Sequence, residues 1–295
     1  MDILPPIFDS ASVEKHLEEA EKHTLELQEQ YRRDVVPFDE IGTRSGPVDA
    51  VSLLSWNRLA QLANIPHVSA DIVSRIPIDD AWASMDGKDD SVSPTGLQGI
   101  ELAIQYARSG GFWRTDQCAS CDIKYAQSTG KAIPSPIPFY LDDPRIMDLH
   151  HGIPEIIILG RPRLTPVMVG GYPLEFRVFL GGLAHPDGAV SYYYPQANAF
   201  DVSSDLERFM DDSLSHARDI YSRREQLCLV PRLLNGHASR DIGATIDFMV
   251  TQEMGLVMID AGPGAGYGAH PCCFVDLPVE GKRWRPKEGL TINDF

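Results

Sequence analysis

The sequence predicts an α+β fold, and three observations carry that prediction. Val13, Leu17, Ala20, Leu25 and Leu27 are interleaved with Glu and Lys over residues 10–33 at helical spacing. From residue 111 the texture changes to short apolar segments punctuated by Gly and Pro, which is how strands read. Farther on, two apolar segments flank Thr251-Gln252-Glu253-Met254, with Gly255 beside the turn, the pattern of a hairpin. A helical part followed by a largely antiparallel sheet with packed helices is an α+β arrangement.

Taken in order, the first helix covers 10–33, and its charged remainder reads as a solvated face. Helices near 48–64 and 69–75 follow, each ending close to a proline, Pro66 and Pro77. Residues 84–95 are polar and turn-rich and read as a linker or a mobile surface loop. A helix over 96–108 carries the stripe Leu97, Ile100, Leu102, Ala103 and Tyr106. Strands are expected at 111–115, 154–160, 173–181 and 188–194, then a long amphipathic helix over 204–226. Two final strands, 243–251 and 255–261, form the hairpin.

Composition narrows the function. The chain has 295 residues, 43% of them hydrophobic, enough for one large domain or two modest ones. Lys and Arg total 26 against 42 Asp and Glu, a formal charge of −16. That balance argues against a general affinity for nucleic acid and against docking on an anionic membrane. A local basic pocket for a phosphate is compatible with it. The longest apolar runs, such as Ile156-Ile157-Ile158-Leu159, fall far short of the roughly 18–20 residues of a membrane span. No basic segment followed by a long apolar stretch opens the sequence, and the five cysteines are an odd number. The expectation is a soluble, cytoplasmic protein. A homo-oligomer is compatible with the sequence.

The chemistry concentrates in 245–274. Asp247 and Asp260 each lie in an otherwise apolar strand, and the hairpin between them brings the two strands side by side. An isolated buried carboxylate is costly, so each needs a cation or several donors. Two carboxylates on neighbouring strands suit Mg²⁺, which is commonly held by one or two carboxylates plus substrate phosphates. Turn-capping or exposed strand-edge aspartates are the other reading of the same pattern. The glycines Gly262, Gly264, Gly266 and Gly268 form a loop able to bring backbone N–H groups to an anion, or an ordinary connection.

These residues resemble the ATP-grasp family. Its members carry an Asp in a penultimate strand, a Glu thirteen residues later and an Asn two beyond, all binding the magnesium that bridges the ATP phosphates. Asp247 and Asp260, in "TIDFMV" and "LVMIDAGPG", have that spacing. "PLEFRVFLGG" (173–182) resembles the strand whose Arg reaches the phosphates, which implies that catalytic and nucleotide-binding role for Arg177. "EIIILGRPRL" (155–164) looks like the strand leading into the adenine hinge, at Leu159 and Arg161. "GFWRTDQCASCDIKYAQSTGK" (111–131) resembles the small lid subdomain, with Arg114 and Lys124 as its nucleotide-binding cations. The order basic strand, hinge strand, Arg strand, Asp, Asp is the family's order. The resemblance takes in phage-encoded ATP-grasp-like proteins.

The resemblance implies two α+β subdomains clasping a nucleotide cleft. The divisions are a helical N-terminal region (1–95), a lid (96–150), a core (151–276) and a tail (277–295). It implies ATP and Mg²⁺ as cofactors, the latter on Asp247 and Asp260. It also implies an ATP-dependent carboxylate–amine or carboxylate–thiol ligase acting through an acylphosphate on an unidentified small molecule or peptide. Two departures point toward a binding module with little turnover. Asp260 stands where the family has Glu, and Gly262 where it has Asn.

Other signals have alternatives. Cys118 and Cys121, with Cys272 and Cys273, could ligate zinc or be small buried or loop residues. His150-His151 reads as a turn, His270 as a substrate contact, and Arg44 as a turn residue or an anion contact.

Overall fold

The computed structural model describes residues 10–36, 40, 48–117, 152–169, 172–181, 185–192, 204–224, 229–230 and 243–263. Helix α1 spans Ser10–Asp34 and strand β1 Val48–Asp49, followed by α2 (Leu53–Leu62), β2 (Asp71–Pro77), α3 (Ile78–Met85) and α4 (Pro94–Arg108). Strands β3 (Phe112–Thr115), β4 (Glu155–Arg161), β5 (Met168–Val169), β6 (Tyr172–Pro173), β7 (Glu175–Gly181) and β8 (His185–Tyr192) come next. Helix α5 (Ser204–Ser222), β9 (Leu229–Val230), β10 (Ala244–Thr251) and β11 (Gly255–Pro263) complete the described elements.

Two antiparallel sheets organise the chain. The smaller has the order β2-β4-β3 and the larger β11-β10-β7-β8. The α+β class therefore stands. Each sheet has an apolar layer on one face. Phe176, Val178, Leu180, Ile246 and Phe248 of the larger sheet pack with Met210, Ala217 and Ile220 of α5 and with Trp56, Leu59 and Ala60 of α2. Ile156, Ile158, Ile76 and Trp113 of the smaller sheet pack with α3 and α4 through Ile78, Ala81, Ile100 and Ala103. Gly160 belongs to this second layer, where a Cβ would lie 2.6 Å from the Tyr106 hydroxyl.

Helix α2 joins the two sheets. Its body sits in the larger core, while Leu53 and Leu54 at its start meet Ile157 and Leu159 on the opposite face of the smaller sheet. Ser52 caps it by accepting from the Ser55 amide.

Three expectations are corrected. The helix expected at 69–75 is strand β2, because β-branched Ile72, Val73 and Ile76 favour a pleated surface and burial alternates at Ser74 and Ile76. This strand pairs with β4, so the N-terminal region is not a purely helical layer. The helix expected at 48–64 begins only at Leu53, and Val48–Asp49 instead pair in parallel with Leu229–Val230. Finally, 84–95 is not a linker. Met85 ends α3, Asp89–Ser91 form a 3₁₀ turn, and Val92 is buried. Asp80 ties the segment down by accepting from the Ser93 amide at 2.8 Å and the Ser93 hydroxyl at 2.5 Å.

Helix α1 forms as its periodicity predicts, but Val13, Leu17 and Leu25 are exposed. Its contact with the smaller core comes near its end, at Tyr31.

Candidate functional site

Strand register builds the site. Asp247 of β10 stands directly opposite Asp260 of β11 on one side and Arg177 of β7 on the other. Directly opposed residues share a sheet face, so the three side chains form a row across three strands. The row lies on the face opposite the α5 core, because its neighbours Phe176, Ile246 and Phe248 point into that core.

A β-bulge sits beside the row. Asp247 pairs with Asp260 but Phe248 pairs with Met258, which leaves Ile259 as the extra residue. The Ile259 carbonyl accepts from Arg161 Nη2 of the smaller sheet at 2.5 Å. Arg114, also from the smaller sheet, donates through Nη1 to Asp260 Oδ1 at 2.6 Å and through Nε to the Thr115 carbonyl at 2.9 Å. Two arginines of one sheet thus reach the edge strand of the other.

The row is internally paired. Arg177 binds Asp247 with two bonds, Nε to Oδ1 at 2.7 Å and Nη2 to Oδ2 at 2.6 Å. Such a fork-on-carboxylate pair is stronger and more directional than a single bond. Arg161 is less well served. Its Nε is buried without a hydrogen-bond partner, and burial, with the like charge of Arg114, pushes its guanidinium down to about 10 against the pull of Asp260.

The fit to magnesium can be read from these bonds. Both Asp247 oxygens accept from Arg177, and Asp260 Oδ1 accepts from Arg114 and from the Ala261 amide at 2.9 Å. Gly262 offers no side chain. Among the described residues no group of three or more His, Cys, Asp or Glu is placed to hold a metal ion. The residues in this arrangement do not fit a magnesium cage, and an ion would have to displace guanidiniums to enter.

The structure thus brings together Arg114, Arg161, Arg177, Asp247 and Asp260. Leu159 is fully buried, paired with Ile72 and Arg114 in mid-strand. Lys124, the four cysteines of the zinc alternative, His150, His151, His270 and Arg44 lie outside the described residues. Sequence reasoning missed a second set of polar groups, Asp49, Ser52, Asp116 and Gln117, all buried. Asp116 accepts from the Leu54 amide at 3.0 Å at the start of α2, and burial pushes its carboxyl up to about 6. No motif marks these residues. Only the pairing of distant segments assembles them.

Strands β3, β4, β7, β10 and β11 follow one another in the order that the family resemblance implies, and they bring Arg114, Arg161, Arg177, Asp247 and Asp260 together. No protein-family model and no curated protein matches the sequence. Among solved structures, a D-alanine–D-alanine ligase from Coxiella burnetii is similar at 12% identity and a TM-score of 0.33, over 74% of this chain and 48% of that one. A carboxyaminoimidazole ribonucleotide synthase from Aspergillus clavatus, complexed with ATP, is similar at 9% identity and a TM-score of 0.36, over 81% and 55%. The macrocyclase MdnC from Microcystis aeruginosa, bound with its precursor peptide MdnA, is similar at 10% identity and a TM-score of 0.32, over 91% and 66%. The chain spans about half the length of the first two of these structures. No helix among the described residues is long and apolar enough to cross a membrane.

Proposed function

We propose that this chain binds a nucleoside triphosphate, ATP by the family resemblance, against the polar face of the larger sheet. The phosphates meet Arg114, Arg161 and Arg177. The observation that supports this reading is the gathering of three guanidiniums from two sheets, with Arg161 Nε buried and without a hydrogen-bond partner. A polyphosphate supplies acceptors and negative charge at once, and guanidinium–phosphate bonds are among the stronger charge-assisted ones. Arg161, at the end of the hinge strand, touches the nucleotide, and Leu159 shapes the wall behind it. Lys124 belongs to the lid in this reading.

The finer reading is an ATP-dependent carboxylate–amine or carboxylate–thiol ligase. The γ-phosphoryl group passes to a substrate carboxylate, ADP leaves, and an amine or thiol then attacks the acyl carbon and expels phosphate. The substrate is a small molecule or peptide. The protein supplies orientation and charge. Arg177, held in one geometry by Asp247, and Arg114, held by Asp260, present fixed positive charge to the transferring group.

One observation favours a second reading, a nucleotide-binding module with weak or no turnover. Asp247 is engaged by Arg177 on both oxygens, and Gly262 has no ligating side chain. Calorimetric titration with ATP, with and without Mg²⁺, followed by ADP release against pooled amino acids and peptides, separates the two. ATP binding is expected in both cases, weakened at least tenfold, about 1.4 kcal/mol, by Arg161→Gln. Acceptor-dependent ADP release supports the ligase, and binding without release supports the module. A folded protein that does not bind ATP overturns both.

A further inference from the structure

Asp247 and Asp260, the two carboxylates of the row, are engaged by guanidiniums of the chain itself. Both oxygens of Asp247 accept from the Arg177 fork, at 2.7 and 2.6 Å, and the pair is largely withdrawn from solvent. Asp260 Oδ1 accepts from Arg114 Nη1 at 2.6 Å and from the Ala261 amide at 2.9 Å. Two positions on stands Gly262, directly opposite Thr245. Among the described residues nothing lies within 4 Å of where a Gly262 Cβ would be, so room for a ligating side chain exists and the side chain does not.

Charge decides between a divalent cation and a guanidinium at these oxygens. Magnesium takes oxygen ligands at about 2.0–2.1 Å in near-octahedral geometry. An ion that close to either Asp247 oxygen would sit within a few ångströms of the Arg177 guanidinium, and like charges repel strongly where little water screens them. The fork would have to open first, which parts a largely buried guanidinium from the carboxylate it is paired with. The same bonds prepare the arginines for phosphate. Asp247 fixes Arg177 on the larger sheet, Asp260 fixes Arg114 of the smaller one, and the Ile259 carbonyl beside Asp260 fixes Arg161. A guanidinium held in place loses little freedom on meeting an anion.

We infer that this chain takes its nucleotide free of a divalent cation: Asp247 and Asp260 are counter-ions that orient Arg177 and Arg114, and guanidinium charge alone neutralises the phosphates. The inference rests on the nucleotide reading above and reverses the sign of the magnesium effect. ATP without magnesium is the more negative ligand, so arginines hold it at least as tightly as the magnesium complex. Were the aspartates metal ligands, removing magnesium would leave two carboxylates facing the phosphates and weaken binding.

The test has two arms, both on the full chain. In the first, ATP is titrated by calorimetry in EDTA and again in excess MgCl₂. Affinity in EDTA is expected to match or exceed that in magnesium, by up to about tenfold. Affinity lowered in EDTA overturns the inference and leaves the nucleotide reading standing. Binding in neither medium overturns the nucleotide reading, and this inference with it. In the second arm no nucleotide is present. Mn²⁺, a paramagnetic ion that shares magnesium's preference for oxygen ligands, is added while backbone amide signals are followed by NMR. The Asp247, Asp260 and Ala261 amides are expected to keep their intensity relative to the rest of the chain, which with binding in EDTA supports the inference. Selective broadening of these amides overturns it whatever ATP does.

Discussion

Two pairs of aspartates, one at each end of the smaller sheet, meet opposite electrostatic surroundings. Asp247 and Asp260 stand in a row with Arg177 and Arg114 and carry their charge against guanidiniums. Asp116, beside Asp49, is more deeply buried yet accepts from neutral donors, and its carboxyl rises to about 6. The first pair is fixed by its partners. At Asp116 burial outweighs the pull of Arg114. A carboxylate's meaning in a fold therefore lies in what surrounds it: guanidiniums engage the aspartates of the row, whereas burial dominates at Asp116.

The sharpest way to break this comparison is to remove charge from the row. Arg177 and Asp247 expose only 11% and 14% of their side chains, so Asp247→Asn removes the carboxylate paired with a largely buried guanidinium. Losing one partner of a buried pair costs about 3–5 kcal/mol, and that loss is expected in urea unfolding. The double variant Asp247→Leu, Arg177→Met should recover much of it, because no charge is then stranded. A cost below about 1 kcal/mol for Asp247→Asn would make the row no different from a surface pair.

That row was legible in the sequence because its information is local. Thirteen residues separate Asp247 from Asp260 across a short turn, and Gly255, with a φ of 67°, lets the hairpin close as its composition predicts. Arg177 lies in a strand whose apolar pattern is equally plain. The resemblance alone implied that Arg114 and Arg161 stand near the row; the bulge at Ile259 and the bonds these arginines make to β11 were not legible, since they depend on how two sheets meet. The second pair was less legible still. Asp49 and Asp116 are 67 positions apart, and their meeting is decided by α2 docking between the sheets. The strand at 71–77 was misread as helix because a short apolar run fits both periods, and pairing with β4 settles it.

A smaller effect sharpens the other half of the comparison. Asp116 has a raised folded-state value of about 6, against an unfolded carboxyl near its ordinary 3.8. The folded protein therefore binds more protons than the unfolded chain between these values. The cost of keeping Asp116 charged is fully present above the folded value and is relieved as pH falls below it. Between pH 8 and pH 5 this one group should make wild type gain about 1.4 kcal/mol relative to Asp116→Asn, which does not titrate. Denaturation midpoints of both proteins at the two pH values measure the difference. A parallel response would mean that Asp116 is already neutralised by a cation, as the aspartates of the row are.

The smallest effect is expected at the Arg75–Glu155 pair, where a third arrangement separates charge pairing from burial. Arg75 and Glu155 form a close ion pair across β2 and β4, but each side chain is about one third exposed, at 34% and 33%. Solvent screens such a pair, and holding two long side chains in one geometry offsets part of the Coulomb gain. Glu155→Gln should therefore cost less than about 1 kcal/mol. It keeps the size of the side chain and a hydrogen-bond acceptor for Arg75, so the loss reports on charge rather than packing. Raising the salt from about 0.05 M to about 0.5 M, which shortens the screening length severalfold, should shrink the difference between wild type and variant further. The same change of salt should leave the cost of Asp247→Asn nearly untouched, because the low-exposure row is shielded from mobile ions. If the Arg75–Glu155 pair instead proves as costly to break as the row and as indifferent to salt, burial is not what distinguishes them.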